Sequence, residues 1–311
     1  MLQLNENGRF RILIIADVQD CRVPDENKKA HLDRLIRTAK PQLVVLLGDI
    51  LFGPGIFTGR RVGQIVDAVV TTVERHRVPF VYVSGNHDMD ARVPVRDQVD
   101  MYRKSAYCLT PSIAERACAD AYALDVGTEG RRAAARLIFM DSGATRVTIS
   151  GIRYYPPREE LLHYTDLLLS DVDCPPAYIF QHIPVPEICR LLQAVPPDTP
   201  GSIKGHGPYR GKRLALMDSR NGVLGEMPCP SWENTRQFSA WVSSGKVRAA
   251  VFGHDHKNAF AGCVEGITFL QTSCAGLSCY GDAQTRGGRL LEISRNGSFA
   301  SYPLFYRDVN G

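Results

Sequence analysis

Five short polar clusters in the 311-residue chain carry side chains that bind divalent metals: Asp17, Gly48-Asp49, Gly85-Asn86-His87-Asp88, Gln181-His182 and Gly253-His254-Asp255-His256. Carboxylate, amide oxygen and imidazole together suit borderline-hard divalent ions such as Mn, Fe, Zn or Co. No thiol stands among them, which disfavours copper(I), iron–sulfur and structural zinc. Two carboxylates against two such ions leave a charge of about +2, for which a phosphate dianion is the natural guest, and two metals ~3.5–4 Å apart can clamp a phosphoryl group and generate hydroxide for in-line attack. In a shuffled chain of this composition G-N-H-D would occur about 0.001 times and G-H-x-H about 0.02 times, so their joint presence is informative.

Each cluster follows an apolar run. Segments 10–16, 42–47, 79–84, 177–181 and 248–252 read as buried strands, and 27–39 and 60–76 as the helices between the first three. Strand–helix–strand–helix–strand over the first 85 residues predicts an α/β fold with parallel strands. Ligands of such folds bind beyond the carboxyl ends of the strands, so the five clusters are expected to converge on one edge. The glycines before Asp49, Asn86 and His254 are read as permitting the sharp turn that aims a side chain back across that edge. Further helices are expected over 91–108, 158–169 and 232–243, with strands over 121–126, 135–140, 259–264, 267–272, 288–294 and 298–305. Segment 183–230 is rich in Pro and Gly, lacks periodicity, and reads as a surface excursion beside a site. With no repeat and no low-complexity linker, residues 1–311 read as one domain.

Composition narrows the function classes. With 44% hydrophobic residues, the chain has enough apolar material for a core, which excludes a disordered chain. The longest apolar runs, such as 43–47 and 248–252, are far short of the ~20 residues a bilayer demands, so no membrane partner is expected. A net charge of +4 with scattered arginines lacks the basic face of a nucleic-acid module, and the densest cluster, Arg131, Arg132 and Arg136, reads as a solvated turn. Nine cysteines without a C-x-x-C pair, behind a polar amino terminus, set the expected compartment as the reducing cytoplasm.

The motif series D-x-H, G-D, G-N-H-D, H and G-H-x-H resembles that of the calcineurin-like metallophosphoesterases, over about residues 10–295. G-D-I-L-F-G at 48–53, L-I-F-M-D-S-G at 137–143, Q-H-I-P-V-P-E at 181–187 and G-H-D-H-K-N-A-F-A-G at 253–262 resemble the purple-acid-phosphatase-like and Dcr2-like branch. The resemblance implies a four-layer, two-sheet α/β sandwich with two divalent metal ions at the carboxyl ends of the strands. Carried over by motif, Asp49 bridges both metals, Asp17 and His256 hold the first, and Asn86, His182 and His254 hold the second. His87 would assist the leaving group, and Asp88 would orient His87. The implied reaction is hydrolysis of a small phosphorylated substrate by hydroxide generated at the metal pair. A phosphomonoester leads, by branch resemblance. The alternatives are a small or cyclic-nucleotide phosphodiester, or a degenerate protein that binds metal or phosphate without turnover.

The first motif departs from the family. It reads Asp17-Val18-Gln19, with Gln19 where the family has a metal-binding His. The tyrosine by which purple acid phosphatases compensate is replaced by Phe52. The expectation is a weaker first site, completed by Gln19, Asp20 or water, and no iron–tyrosinate colour. Asp255 is expected to face away or to buttress a loop. His206, Tyr209, Arg210 and Arg153 are candidate substrate contacts weighed against surface-loop roles, with Tyr154 and Tyr155 beside Arg153 read in the same way. His31, His76 and His163 read as structural, and Trp232 and Trp241 as packing residues on one helix.

Overall fold

Two β-sheets face each other, with helices packed on their outer sides. A computed structural model describes residues 1–55, 58–149 and 151–309. The smaller sheet runs Phe299–Phe305, Gly287–Ser294, Arg9–Ile15, Leu43–Leu47, Phe80–Val83, and its last three strands are parallel. The larger sheet has eight strands. Its centre is the parallel set Ala135–Met140, Ala177–Phe180, Val247–Phe252, Ile267–Gln271. Strands covered on both faces read as unbroken apolar runs, which is how Leu43–Leu47 and Ala177–Phe180 appear in the sequence.

Three apolar clusters match the layers. Ile12, Ile14, Val45, Leu47 and Val81 of the smaller sheet meet Leu137, Phe139, Phe180, Val251 and Leu270 of the larger one. Outside the smaller sheet, Leu35 and Ile36 of helix Glu26–Ala39 pack with Val62, Ile65, Val66 and Val69 of helix Gly59–Glu74. Outside the larger sheet, Leu161 and Leu169 of helix Glu159–Ser170 join Phe238 and Trp241 of helix Gln237–Ser244. The starts of the first two helices are set by Asp25 and Thr58, whose side chains accept the N–H groups of Lys28 and Arg61. The four-layer sandwich expected from the motifs is therefore the observed architecture.

Several elements differ from expectation. Segment 91–108 is helical only over Val95–Tyr102, because the chain beyond it pairs with a free strand edge: Phe80 N donates to Tyr107 O (2.9 Å) and Leu109 N to Phe80 O (2.8 Å). The helix expected from 232 begins at Gln237. Trp232 is 59% exposed and its N–H is committed to Tyr154 O (2.6 Å), whereas Trp241 is buried. Arg136 is no solvated turn residue: it lies in strand Ala135–Met140 and grips both oxygens of Asp125 (2.9 and 3.1 Å). The 183–230 segment contains the 3-10 turn Pro186–Leu191 and an antiparallel sheet ordered Leu192–Val195, Arg213–Leu216, Ile203–Lys204. A hairpin, Thr145–Thr148 with Gly151–Tyr154, had no sequence signal. Among the described residues no helix is long and apolar enough to cross a membrane.

Candidate metal centre

The strand ends of both sheets meet at one place. Asp17, Asp49 and Asn86 come from the ends of Arg9–Ile15, Leu43–Leu47 and Phe80–Val83; His182, His254 and His256 follow Ala177–Phe180 and Val247–Phe252. All six are buried. The turns that present them are tight. Asp17, Gln19, Asp49 and His254 adopt positive φ of 56°, 46°, 50° and 74°, a conformation that costs L-residues free energy and concentrates at functional sites. The glycine expectation needs revision here. Gly48 does take φ +78°, but Gly85 sits at −104°, and the left-handed bends fall largely on the polar residues themselves. The glycines are required for space: a Cβ on Gly48 would come within 2.5 Å of His182 Nδ1, and one on Gly85 within 2.2 Å of Asp49 Oδ1.

Hydrogen bonds aim the imidazoles. His182 Nδ1 donates to Leu47 O (2.8 Å) and His256 Nδ1 to Tyr280 O (2.7 Å), so Nε2 is the nitrogen each ring turns inward, available to a metal once its proton is displaced. His182 Nε2 lies 3.1 Å from Asp49 Oδ2 and 3.7 Å from Asp17 Oδ1; His256 Nε2 is 3.4 Å from Asp17 Oδ1. Donor atoms of Asp49, His182 and His254 fall within 4.8 Å of one another. Asp17 Oδ1, Asn86 Oδ1 and His182 Nε2 are buried and lack a hydrogen-bond partner among the described residues. Buried polar atoms are almost always satisfied, so these atoms, which face opposite charges without hydrogen-bond alignment or, for Asn86, face no partner, fit a cation that they would hold. The other Asp17 oxygen accepts His254 N–H (3.0 Å), and Asp49 Oδ1 accepts His87 N–H (2.8 Å).

The electrostatics agree. Burial opposes ionisation of Asp49, but the His182 charge beside it holds its pKa below the ordinary carboxylate value. Burial likewise opposes the His182 and His256 cations, and the facing aspartates overcome it, raising them to about 10 and about 11. Burial, reinforced by the His182 charge, pushes His254 well below its usual value.

Gln19 turns inward: its Nε2 donates to Asp49 Oδ2 (3.2 Å). Asp20 is held at Oδ1 by Lys28 Nζ (2.5 Å) and is not among the residues that line the centre. Asp88 does not orient the His87 ring. Its oxygens accept the N–H groups of Leu51 and Gly85 (both 2.9 Å), pinning two site loops together, and burial raises its pKa to about 7. The carboxylate nearest His87 Nδ1 is Asp90, at 3.3 Å, and Phe52 packs beside the ring (5.2 Å between centroids). Asp255 buttresses a loop, accepting Cys229 N–H (3.0 Å).

A cavity of about 100 Å³ opens at the centre. Besides Gln19, Asp49, His87, His254, Asp255 and His256, its wall includes Tyr154, Glu226, Cys229 and Tyr280. Tyr154 meets the His254 ring edge-on at 4.4 Å, and Tyr280 stacks on His256 at 4.0 Å. Glu226 accepts the Lys257 N–H (2.9 Å) and the Tyr280 hydroxyl (3.4 Å). Glu226 and Tyr280 carried no motif or periodic signal, and they reach the wall only through folding. Of the candidate substrate contacts, His206, Tyr209, Arg210 and Arg153 do not line this cavity. Arg153 lies over the Trp232 ring (4.1 Å), and His206 Nε2 lies 3.8 Å from Cys229 Sγ, behind the wall. His31 is buried with its ring 4.9 Å from that of Tyr306, and His76 pairs with Asp33 (2.8 Å), both structural as expected.

Comparison with known proteins agrees with this arrangement. Residues 10–258 match the calcineurin-like phosphoesterase family. The chain is 25% identical to probable inactive purple acid phosphatase 28 of Arabidopsis thaliana, over 90% of this chain and 74% of that protein. It is 21% identical to probable inactive purple acid phosphatase 29 of the same plant, over 95% and 79%. A dimetal phosphatase from Danio rerio shares the fold, with a TM-score of 0.55 at 17% identity over 94% of this chain and 98% of that one. So does GAP50, described as the anchor in the inner membrane complex of Plasmodium, with a TM-score of 0.55 at 12% identity over 96% and 85%. With the family match spanning most of the sequence and the sandwich carrying its polar cluster where two sheets meet, this chain belongs to the calcineurin-like phosphoesterase family.

Proposed function

We propose that the protein hydrolyses a small phosphate ester, a phosphomonoester in preference, at a centre of two divalent metals. The observation that carries this is the gathering of Asp49, His182 and His254 donor atoms within 4.8 Å of one another, next to Asn86 in sequence-matched position with its buried Oδ1 unbonded, at a cavity of about 100 Å³. Asp17 and His256 would hold one ion, Asn86, His182 and His254 the other, and Asp49 would bridge them. Bound there, the ions would polarise phosphoryl oxygens and supply hydroxide at neutral pH.

The chain's own residues do the rest. The His87 main chain holds Asp49 Oδ1, which fixes its ring at the cavity wall, where Nε2 can pass a proton to the departing oxygen. Tyr154 and Tyr280 brace two histidines and exclude water from their flanks. No lysine or arginine is among the described wall residues, and Glu226 and Asp255 are, which favours a small substrate over a polyanionic nucleic acid. Cleavage of a small diester is the runner-up, since the same centre serves both reactions.

The test is turnover of an aryl phosphomonoester and an aryl phosphodiester by Mn-, Zn- or Co-loaded protein, alongside His87→Ala. We expect monoester cleavage, and a kcat lowered about 10²-fold or more in the variant with its metal content unchanged. Loss of metal from the variant would overturn the role given to His87. Metal binding without cleavage of either ester would establish the second reading, a degenerate binder, which Gln19 in the first motif favours.

A further inference from the structure

Behind the first-metal side of the centre lies a pair of cysteines that the hydrolytic reading does not use. Cys274 follows strand Ile267–Gln271; it is buried, its N–H donates to His256 O (3.1 Å), and it bridges to Ala16, next to Asp17. Cys279 is half-buried, and its Sγ lies against Asp17 O (3.7 Å) and Gly276 O (3.5 Å). Both are free thiols. The two sulfurs and a ring nitrogen of His256 all lie within 4.8 Å of one another. Two glycines make the room: a Cβ on Gly281 would come within 2.7 Å of Cys274 Sγ, and one on Gly276 within 2.9 Å of Cys279 Sγ.

This trio has the composition of a soft-metal site, but Arg286 decides against it. Its Nη1 lies 3.7 Å from each sulfur, and its Nη2 donates to Cys279 O (2.7 Å). A guanidinium between two sulfurs repels a cation and stabilises a thiolate, the form in which sulfur attacks a peroxide. Access is one-sided. Cys279 lines a surface cavity of about 550 Å³ with Gln19, Asp20, Cys21, Arg22, Lys28 and Phe52, while Cys274 is fully buried and lines none of it. The chain between them forms neither helix nor strand, so it can close without breaking a ladder.

We propose that Cys274 and Cys279 are a covalent modification site at which hydrogen peroxide forms a disulfide that loosens the first metal. Cys279 Sγ attacks the peroxide: an S–O bond forms, the O–O bond breaks, and the first water leaves. Cys274 Sγ then attacks the Cys279 sulfur: the S–S bond forms, the S–O bond breaks, and the hydroxyl leaves with the remaining thiol proton as a second water. Two thiols are oxidised and one hydrogen peroxide is reduced to two waters. Drawing the sulfurs to a bond length of about 2.05 Å pulls on the segment that touches Asp17 O and the His256 ring. This effect on the metal rests on the proposed function, whereas formation of the disulfide does not.

The experiment treats zinc-loaded protein with hydrogen peroxide and follows thiol pairing and metal content separately. Peptide mapping without reductant should show the Cys274–Cys279 segment lacking two hydrogens. Bound zinc should fall by about one ion of two, with recovery on dithiothreitol and fresh zinc. Cys274→Ser and Cys279→Ser should each abolish both changes, and Cys263→Ser, at an exposed cysteine far along the sheet, should leave them intact. Pairing of Cys279 with Cys21, or a sulfinic acid at Cys279 alone, would overturn the site. A disulfide formed with zinc fully retained would overturn its coupling to the metal. If the reduced protein binds no metal at all, the hydrolytic reading fails, and the peptide map still decides the cysteine pair.

Discussion

Gln19 is the residue at which the chain departs from the first motif of its family. It occupies a left-handed conformation at φ 46° and points its amide at Asp49, so the backbone is shaped to present a ligand there while the side chain offers a neutral amide. An imidazole at that position would supply a stronger donor from the same backbone. Gln19→His is expected to tighten the weaker of two zinc-binding events about tenfold or more, measured by competition with a chromophoric chelator. Unchanged affinity would show that position 19 lies outside the coordination shell. The neighbouring residues illustrate the reverse relation between type and role. Asp20 and Asp88 are acids within the motifs, yet one is held by Lys28 and the other ties together the backbones of Leu51 and Gly85. Residue type and spacing nominated them; hydrogen-bond geometry gave them other work.

At the scale of elements, the metal-facing turns are as constrained as the strands that carry them. Strand Leu43–Leu47 ends in Gly48-Asp49 and strand Phe80–Val83 in Ser84-Gly85-Asn86, and the two turns pack with almost no gap. A methyl on Gly85 would overlap both Asp49 Oδ1 (2.2 Å) and Asp49 N (2.4 Å). Backbone cannot yield as a flexible side chain can. Gly85→Ala is therefore expected to cost about 1–3 kcal/mol in chemical denaturation and to lower metal affinity by displacing Asp49. A variant with wild-type stability and full metal content would refute this. The elements that were legible beforehand are those whose pattern is local. Helix Gly59–Glu74 shows its valines at helical spacing, and the strands before the polar clusters are uninterrupted apolar runs. The hairpin ending at Tyr154 and the small sheet within 183–230 were not legible, because their ladders join residues by register and carry no periodicity of their own.

At the scale of the whole molecule, the two sheets are joined at the site by polar contacts as well as by their shared apolar core. His182 of the larger sheet bonds Leu47 O of the smaller, and the Ser84 hydroxyl of the smaller reaches Asp141 Oδ2 of the larger (3.4 Å). Asp141 is half-buried in this seam, and the desolvation raises its pKa from 3.8 to about 7. The folded protein thus keeps a proton that the unfolded chain has released across that window, and stability decreases as pH rises from 3.8 to about 7. Asp141→Asn retains an acceptor for Gly143 N–H and removes the charge. Denaturant midpoints of the two proteins should diverge across that interval in favour of the variant, and then run parallel above it. Parallel curves throughout would show that Asp141 ionises in the fold as it does in water.

The sequence by itself nominated a set of candidate metal ligands and placed them at strand ends. Apolar runs bury themselves as strands, and the polar residues ending them, Asp17, Asp49, Asn86, His182 and His254, must then surface at the strand ends. That logic needs only local chemistry and the rule that parallel strands share an edge. Tertiary structure alone decided the surroundings: Glu226 and Tyr280 on the cavity wall, and Cys279 brought from 262 positions away to lie against Asp17. Those contacts join segments remote along the chain, and only the packing of the two sheets, which closes the distance between them, could bring such residues together.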